Sequence, residues 1–200
     1  MKKLLKLFSV IFSSNIFLIN TISCSNKSEQ EYNLTDNTRK DTIVIYFSWS
    51  NNTKSIANYI SSKLNLDKFE LKRKKDYPKN YNELSLEAKN EAINNLRPEL
   101  KETPDFIKNY KYIFLGFPIW WHLAPMIIGS FLNYYNLDNI HILPFMTSSG
   151  YLEEHRQRAI QYLNDNSTKG TIIEKEIFST NLVNVENWIK DIYVPLTVSS

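Results

Sequence analysis

Three short apolar runs constrain this chain more than any other feature: TIVIYF at Thr42–Phe47, YIFLG at Tyr112–Gly116 and IHILPF at Ile140–Phe145. None alternates apolar with polar residues, so a strand built from any of them has two faces to cover, as in the middle of a parallel sheet. Segments with helical spacing lie between the runs. In KSIANYISSKL, Ile56, Tyr59, Ile60 and Leu64 share one helix face, with Thr53 or Ser50 as the natural cap. Tyr81–Leu96, Met126–Tyr135, Glu153–Leu163 and Val185–Tyr193 read as four further helices. Phe69 and Leu71 mark a weaker second strand and Thr171–Ile177 a fifth. Strand and helix alternating in this way imply right-handed crossovers and a three-layer α/β/α sandwich around a five-stranded parallel sheet.

Of the 200 residues 42% are hydrophobic and 22% charged, a balance that supports one packed core, and no internal repeat suggests a second domain. The net charge of +3 originates at the N-terminus. Setting aside Lys2, Lys3 and Lys6 leaves 21 basic residues against 21 acidic ones, which gives no reason to expect a nucleic-acid partner. Those lysines open a segment, Met1–Ser23, that continues through Leu4, Leu5, Leu7, Phe8, Val10, Ile11, Phe12 and Ile16–Ile19, the layout of a removable secretory leader. Ser13, Ser14, Asn15 and Asn20 interrupt it, so it falls short of the ~20 apolar residues of a permanent span. Thr21-Ile22-Ser23-Cys24 resembles a bacterial lipobox. A lipidated Cys24 would anchor an exported protein to a membrane of the bacterial cell envelope; the alternative is an ordinary leader with an incidental cysteine. Residues 24–40 are polar and read as a tether, which places the domain at residues 41–197. With one cysteine in the chain no intrachain disulfide can form.

In an open parallel sheet ligands bind beyond the carboxyl ends of the strands, where the strand order reverses. Three loops leave such ends here. In the first, SWSNNTK at Ser48–Lys54, the hydroxyls of Ser48, Ser50 and Thr53, the side-chain amide of Asn52 and the free N–H groups of a helix start can converge on a phosphate. The Gly-Lys-Ser/Thr ending of a Walker A loop is absent, and the same residues also suit an ordinary capped loop. The second, GFPIWWHLAP at Gly116–Pro125, sets Phe117, Trp120 and Trp121 just past a central strand, where they either join the core or await something flat.

Two such motifs at matching strand ends resemble the flavodoxin-like family, in particular a short branch with a YFSWSGNT-like first loop and a GYPIWW-like second. DYPKNYNE at Asp76–Glu83 and RPEL at Arg97–Leu100 extend the resemblance across almost all of Thr42–Leu196. It implies the flavodoxin-like strand order 2-1-3-4-5 and FMN as cofactor. Ser48, Trp49, Ser50, Asn51, Asn52 and Thr53 would hold the FMN phosphate, and Pro118, Ile119, Trp120, Trp121 and His122 would border the flavin ring. Thr147, Ser148, Ser149 and Gly150 would close its other side. The implied activity is electron transfer, as a carrier for a redox partner protein or as a small reductase of quinone-like acceptors, with direct use of NADPH a further possibility. The chain departs from the family pattern in three places. Asn51 replaces a glycine, His122 replaces a small residue, and TSSGYLEEHRQ stands where a glycine-rich THGGSG-like stretch is usual. If the glycine position needs a positive φ, asparagine is the least costly substitute. These departures motivate an alternative, in which the fold persists as a binding lipoprotein without a redox role.

Other features carry less. His155, Arg156 and Arg158 could meet a nicotinamide phosphate or a quinone, or form a solvated helix face. His122, His141 and His155 are scattered without ligand spacing, so no metal site is expected. No Gly-x-Ser-x-Gly elbow supports hydrolysis. Lys72–Lys75 (KRKK) could touch anionic lipid head groups or serve as an exposed strand end.

Overall fold

The computed structural model describes residues 32, 34–148, 150 and 153–198; the leader, Cys24 and Ser149 lie outside them. Four strands build most of the sheet: β1 (Thr42–Tyr46), β2 (Asp67–Glu70), β3 (Tyr112–Pro118) and β4 (His141–Thr147). With an edge strand, β5 (Ile172–Ile173), they run parallel in the order β2-β1-β3-β4-β5, as expected. The order reverses between β1 and β3, and the register there pairs Thr42 with Tyr112 and Tyr46 with Gly116.

The apolar runs cover both faces by simple alternation. Ile43, Ile45 and Phe47, with Ile113, Leu115, Phe117, Ile142 and Met146, pack under Ile127, Ile128 and Phe131 of α4 (Met126–Tyr134) and Ala159 and Leu163 of α5 (Glu153–Asn166). Val44, Tyr46, Phe114, Leu143 and Phe145 face the other way, against Ile56, Ala57, Ile60 and Leu64 of α2 (Asn52–Leu64). The C-terminal helical segment joins that second layer. It comprises α6 (Leu182–Trp188), a π-helical stretch Ile189–Tyr193 and α7 (Val194–Val198), and it buries Val185, Trp188, Ile189 and Tyr193.

Three details differ from the sequence expectation. The fifth strand is interrupted: the β4 partner of β5 is 31 residues back, whereas that of β6 (Ile177–Phe178) is 32 residues back, so one extra residue bulges between them. Pro144 explains the break. The carbonyls of Ile140 and Ile142 accept the amides of Ile172 and Glu174, so alternate β4 residues face this edge. Pro144 is next in that phase and has no amide to offer. Helix α3 (Tyr81–Ile93) ends before Leu96 because Asn95 turns left-handed at φ 48°, and the Leu96 amide returns to the Glu91 carbonyl. Finally, the packed structure begins ahead of Asp41. Thr35 caps a short helix, α1 (Asp36–Lys40), and Tyr32 and Leu34 are buried in the second layer.

Candidate functional site

The β1–α2 loop turns on one residue. Asn51 holds φ 65° and makes no side-chain cap bond, so neither Ser50 nor Thr53 acts as the expected cap. The Ser48 hydroxyl, set back in the loop, accepts the Lys54 amide at 3.2 Å. The amides of Asn52 and Thr53 belong to the first turn, where helix geometry supplies no partner, and they head the helix with its partial positive charge. Ser50, Asn51 and Asn52 are exposed beside them. Thr53 is turned inward at 1% exposure, and its hydroxyl meets that of Thr147 at 2.8 Å. That contact locks the first loop to the end of β4, and the Ile119 amide bonding the Thr147 carbonyl at 2.9 Å locks the β3 loop to the same point.

In the β3 loop Trp120 and Leu123 exchange backbone hydrogen bonds of 2.9 and 3.1 Å around Trp121 and His122, at φ 47° and 68°. Two positive φ values in a two-residue turn follow the type I′ pattern, which glycine and asparagine usually fill. Neither occurs here, and left-handed backbone costs such residues about 1–2 kcal/mol each. Strain of this kind collects at functional sites. Trp120 is half-buried, edge-on to Phe47 and Tyr77 with ring centroids 5.1 Å from each. Trp121 is 37% exposed, its indole N–H donates to the Ser85 carbonyl at 2.9 Å, and the Lys89 ammonium lies 5.0 Å from its ring. The Trp49 N–H donates in the same way to the Pro78 carbonyl at 2.9 Å. Two indoles thus fasten the strand-end loops to α3 and the segment entering it.

A buried ionic cluster supports that segment. Arg73 is 7% exposed and meets Glu87 at 2.5 Å and Glu91 at 2.8 Å, with its guanidinium 4.0 Å from the Tyr77 ring centre. The Tyr77 hydroxyl donates to Glu91 at 2.8 Å. Burial pushes the Glu91 carboxyl above its ordinary range, opposed by the hydrogen bonds from Tyr77 and Arg73. Arg73 therefore does not belong to an exposed basic strand end; it braces the ring on which Trp120 rests.

Beside the tryptophans lies a cavity of about 300 Å³. Tyr81, Leu84, Ser85 and Ala88 of α3 form one wall, Ile119, Trp120 and Trp121 another, and His122, Ser148 and His155 a polar edge. The indoles are therefore not sealed in the core. Gly150 follows in the third loop, its amide on the Ser148 hydroxyl at 3.3 Å. His122 Nδ1 and His155 Nε2 are in direct contact, although nothing in their spacing of 33 residues suggests it. The α5 arginines face acids: Arg158 pairs with Glu154 at 3.6 Å and Arg156 with Glu153 and Glu176. Among the described residues no group of three or more His, Cys, Asp or Glu could hold a metal, and no helix is long and apolar enough to cross a membrane.

Residue-by-residue reading misses the α3 wall, because Tyr81, Leu84, Ser85 and Ala88 look like one side of an ordinary amphipathic helix. The motif DYPKNYNE was the available signal, since it holds both Tyr77 and Tyr81. Comparison with known proteins agrees with the architecture. A candidate flavoprotein from Bacteroides eggerthii DSM 20697 superposes with TM-score 0.67 at 23% identity, over 76% of this chain and 98% of its own. One from Bacteroides uniformis ATCC 8492 gives 0.63 at 24%, over 75% and 97%. A Lactobacillus acidophilus NCFM flavoprotein crystallised in complex with FMN gives 0.61 at 22%, over 74% and 97%. No curated protein matches the chain. The family model described as Flavodoxin matches residues 41–192, a span that runs from the start of β1 to the C-terminal helical segment and takes in all three site loops, and the chain belongs to that family.

Proposed function

We propose that this protein binds FMN at the carboxyl ends of β1, β3 and β4 and carries electrons, either to a redox partner protein or to a small quinone-like acceptor, from a membrane-tethered position. The observation that carries the reading is the convergence of three loops on one point. The open helix start at Asn52 and Thr53 and the indole-lined cavity are held together through Thr147. The residues fit the cofactor. Asn51 adopts the left-handed conformation that lets the chain turn into α2, exposed Ser50 and Asn52 stand beside the amides of its first turn, and Trp121 offers uncovered indole next to a cavity. Ser48, Ser50, Asn52 and the α2 amides would hold the phosphate. Ile119, Trp120, Trp121 and Ser148 would border the ring. Flavin supplies the electron-accepting chemistry; the protein supplies orientation, stacking and exclusion of water. That the Lactobacillus flavoprotein was crystallised with FMN supports FMN as the cofactor.

Titration of the purified apoprotein with FMN, followed by quenching of flavin fluorescence, tests the reading. Submicromolar affinity is the expected result. No binding at millimolar FMN would sink it in favour of a non-redox binding lipoprotein.

A further inference from the structure

We propose that His122 and His155 act as one proton-binding group for the ligand ring, taking a proton from water when reduction places negative charge in the cavity. The inference rests on the flavin reading.

Two imidazole nitrogens cannot face each other as lone pairs, so the contact between His122 Nδ1 and His155 Nε2 requires one N–H to donate to the other ring. The pair can accept one further proton and share the charge. A second is opposed by like-charge repulsion, so the two rings hold one charge between them. The ring centroids are 4.3 Å apart, and the contact joins the strained β3 turn to the first turn of α5. Both side chains line the cavity, whose other lining groups among the described residues are aromatic, aliphatic or hydroxyl.

The surrounding charges leave this role open. On α5 Glu153 is tied to Arg156, Arg156 also to Glu176, and Glu154 to Arg158. On α3 Glu87 is held by Arg73, and Lys89 stands over Trp121. New negative charge in the cavity favours the protonated form of an imidazole nearby. The balance is simple. Two electrons and one proton added to the ring leave one negative charge, and the pair takes a second proton from solvent. Two-electron reduction then consumes two protons instead of one.

The test is the midpoint potential of the FMN-loaded protein, measured between pH 5.5 and 8 with dithionite as reductant and indicator dyes. Each proton taken up with two electrons contributes about 30 mV per pH unit. The wild type is expected to fall by about 60 mV per pH unit over part of that range, and the double variant His122→Gln/His155→Gln to fall by about 30. His141→Gln, whose parent residue pairs with Glu174 away from the cavity, keeps the wild-type slope. A wild-type slope of about 30 mV throughout, or an unchanged slope in the double variant, overturns the inference alone. If wild type binds no FMN, the flavin reading falls and the inference with it. Should the variants fail to fold, imidazole C–H resonances of the wild type decide. The two histidines are expected to titrate together and at higher pH after reduction; independent titration at the same pH in both redox states overturns the proposal.

Discussion

Asn51 in the first loop and His122 in the second both occupy left-handed backbone, and the two turns are built differently. Asn51 is a residue that visits this region readily, so it replaces glycine at little cost. Trp121 does so rarely, and the exchange of bonds between Trp120 and Leu123 holds it and His122 there. Asn51→Gly is therefore expected to leave stability within about 0.5 kcal/mol. Asn51→Val should lose about 1–2 kcal/mol by denaturant titration, because a β-branched residue tolerates positive φ worst. FMN affinity of the valine variant should fall about tenfold as the turn that aims the α2 amides is lost.

At the scale of elements, the segment between β2 and α3 depends on charges taken out of water. Glu91 is 4% exposed, and its carboxyl is held above the ordinary range by burial. A carboxyl with a raised folded pKa contributes stability that is present below its unfolded value of 4.5 and lost as pH rises through the folded value. The stability of wild type relative to Glu91→Gln should therefore be greatest in acid and decline as pH climbs from 4.5; a difference that rises with pH would contradict this. Glu91→Ala removes one partner of buried Arg73 and should cost about 3–5 kcal/mol. Flavin binding should weaken too, because Tyr77, which rests on Glu91, is edge-on to Trp120.

The whole molecule places its site by topology and its boundary by packing. Tyr32 and Leu34 are 8% and 7% exposed against the second layer, so a chain starting at Asp41 lacks core residues. Deleting residues 1–40 rather than 1–31 should cost on the order of 3 kcal/mol. For a domain of this size, calorimetry should show that as a fall in Tm of about 6–12 °C. The tethering proposal makes its own prediction. Cys24→Ala should move the protein from the membrane to the soluble fraction of cells that export it, and an unmodified Met1 in the native protein's mass spectrum would remove the leader.

The continuous apolar runs determined the sheet by themselves: with no polar alternation, Thr42–Phe47, Tyr112–Gly116 and Ile140–Phe145 could be stable only between two helical layers. The strand-end loops were legible for the same reason, since a parallel sheet delivers Ser48–Thr53 and Pro118–Trp121 to one edge whatever their chemistry. Tertiary structure alone decided which side chains serve that edge. It turned Thr53 inward to Thr147, sank Arg73 among acids 14 and 18 residues further on, and joined histidines 33 residues apart. Local periodicity records which face of an element is covered, whereas these contacts depend on the distances between elements after packing, which no spacing along the chain encodes.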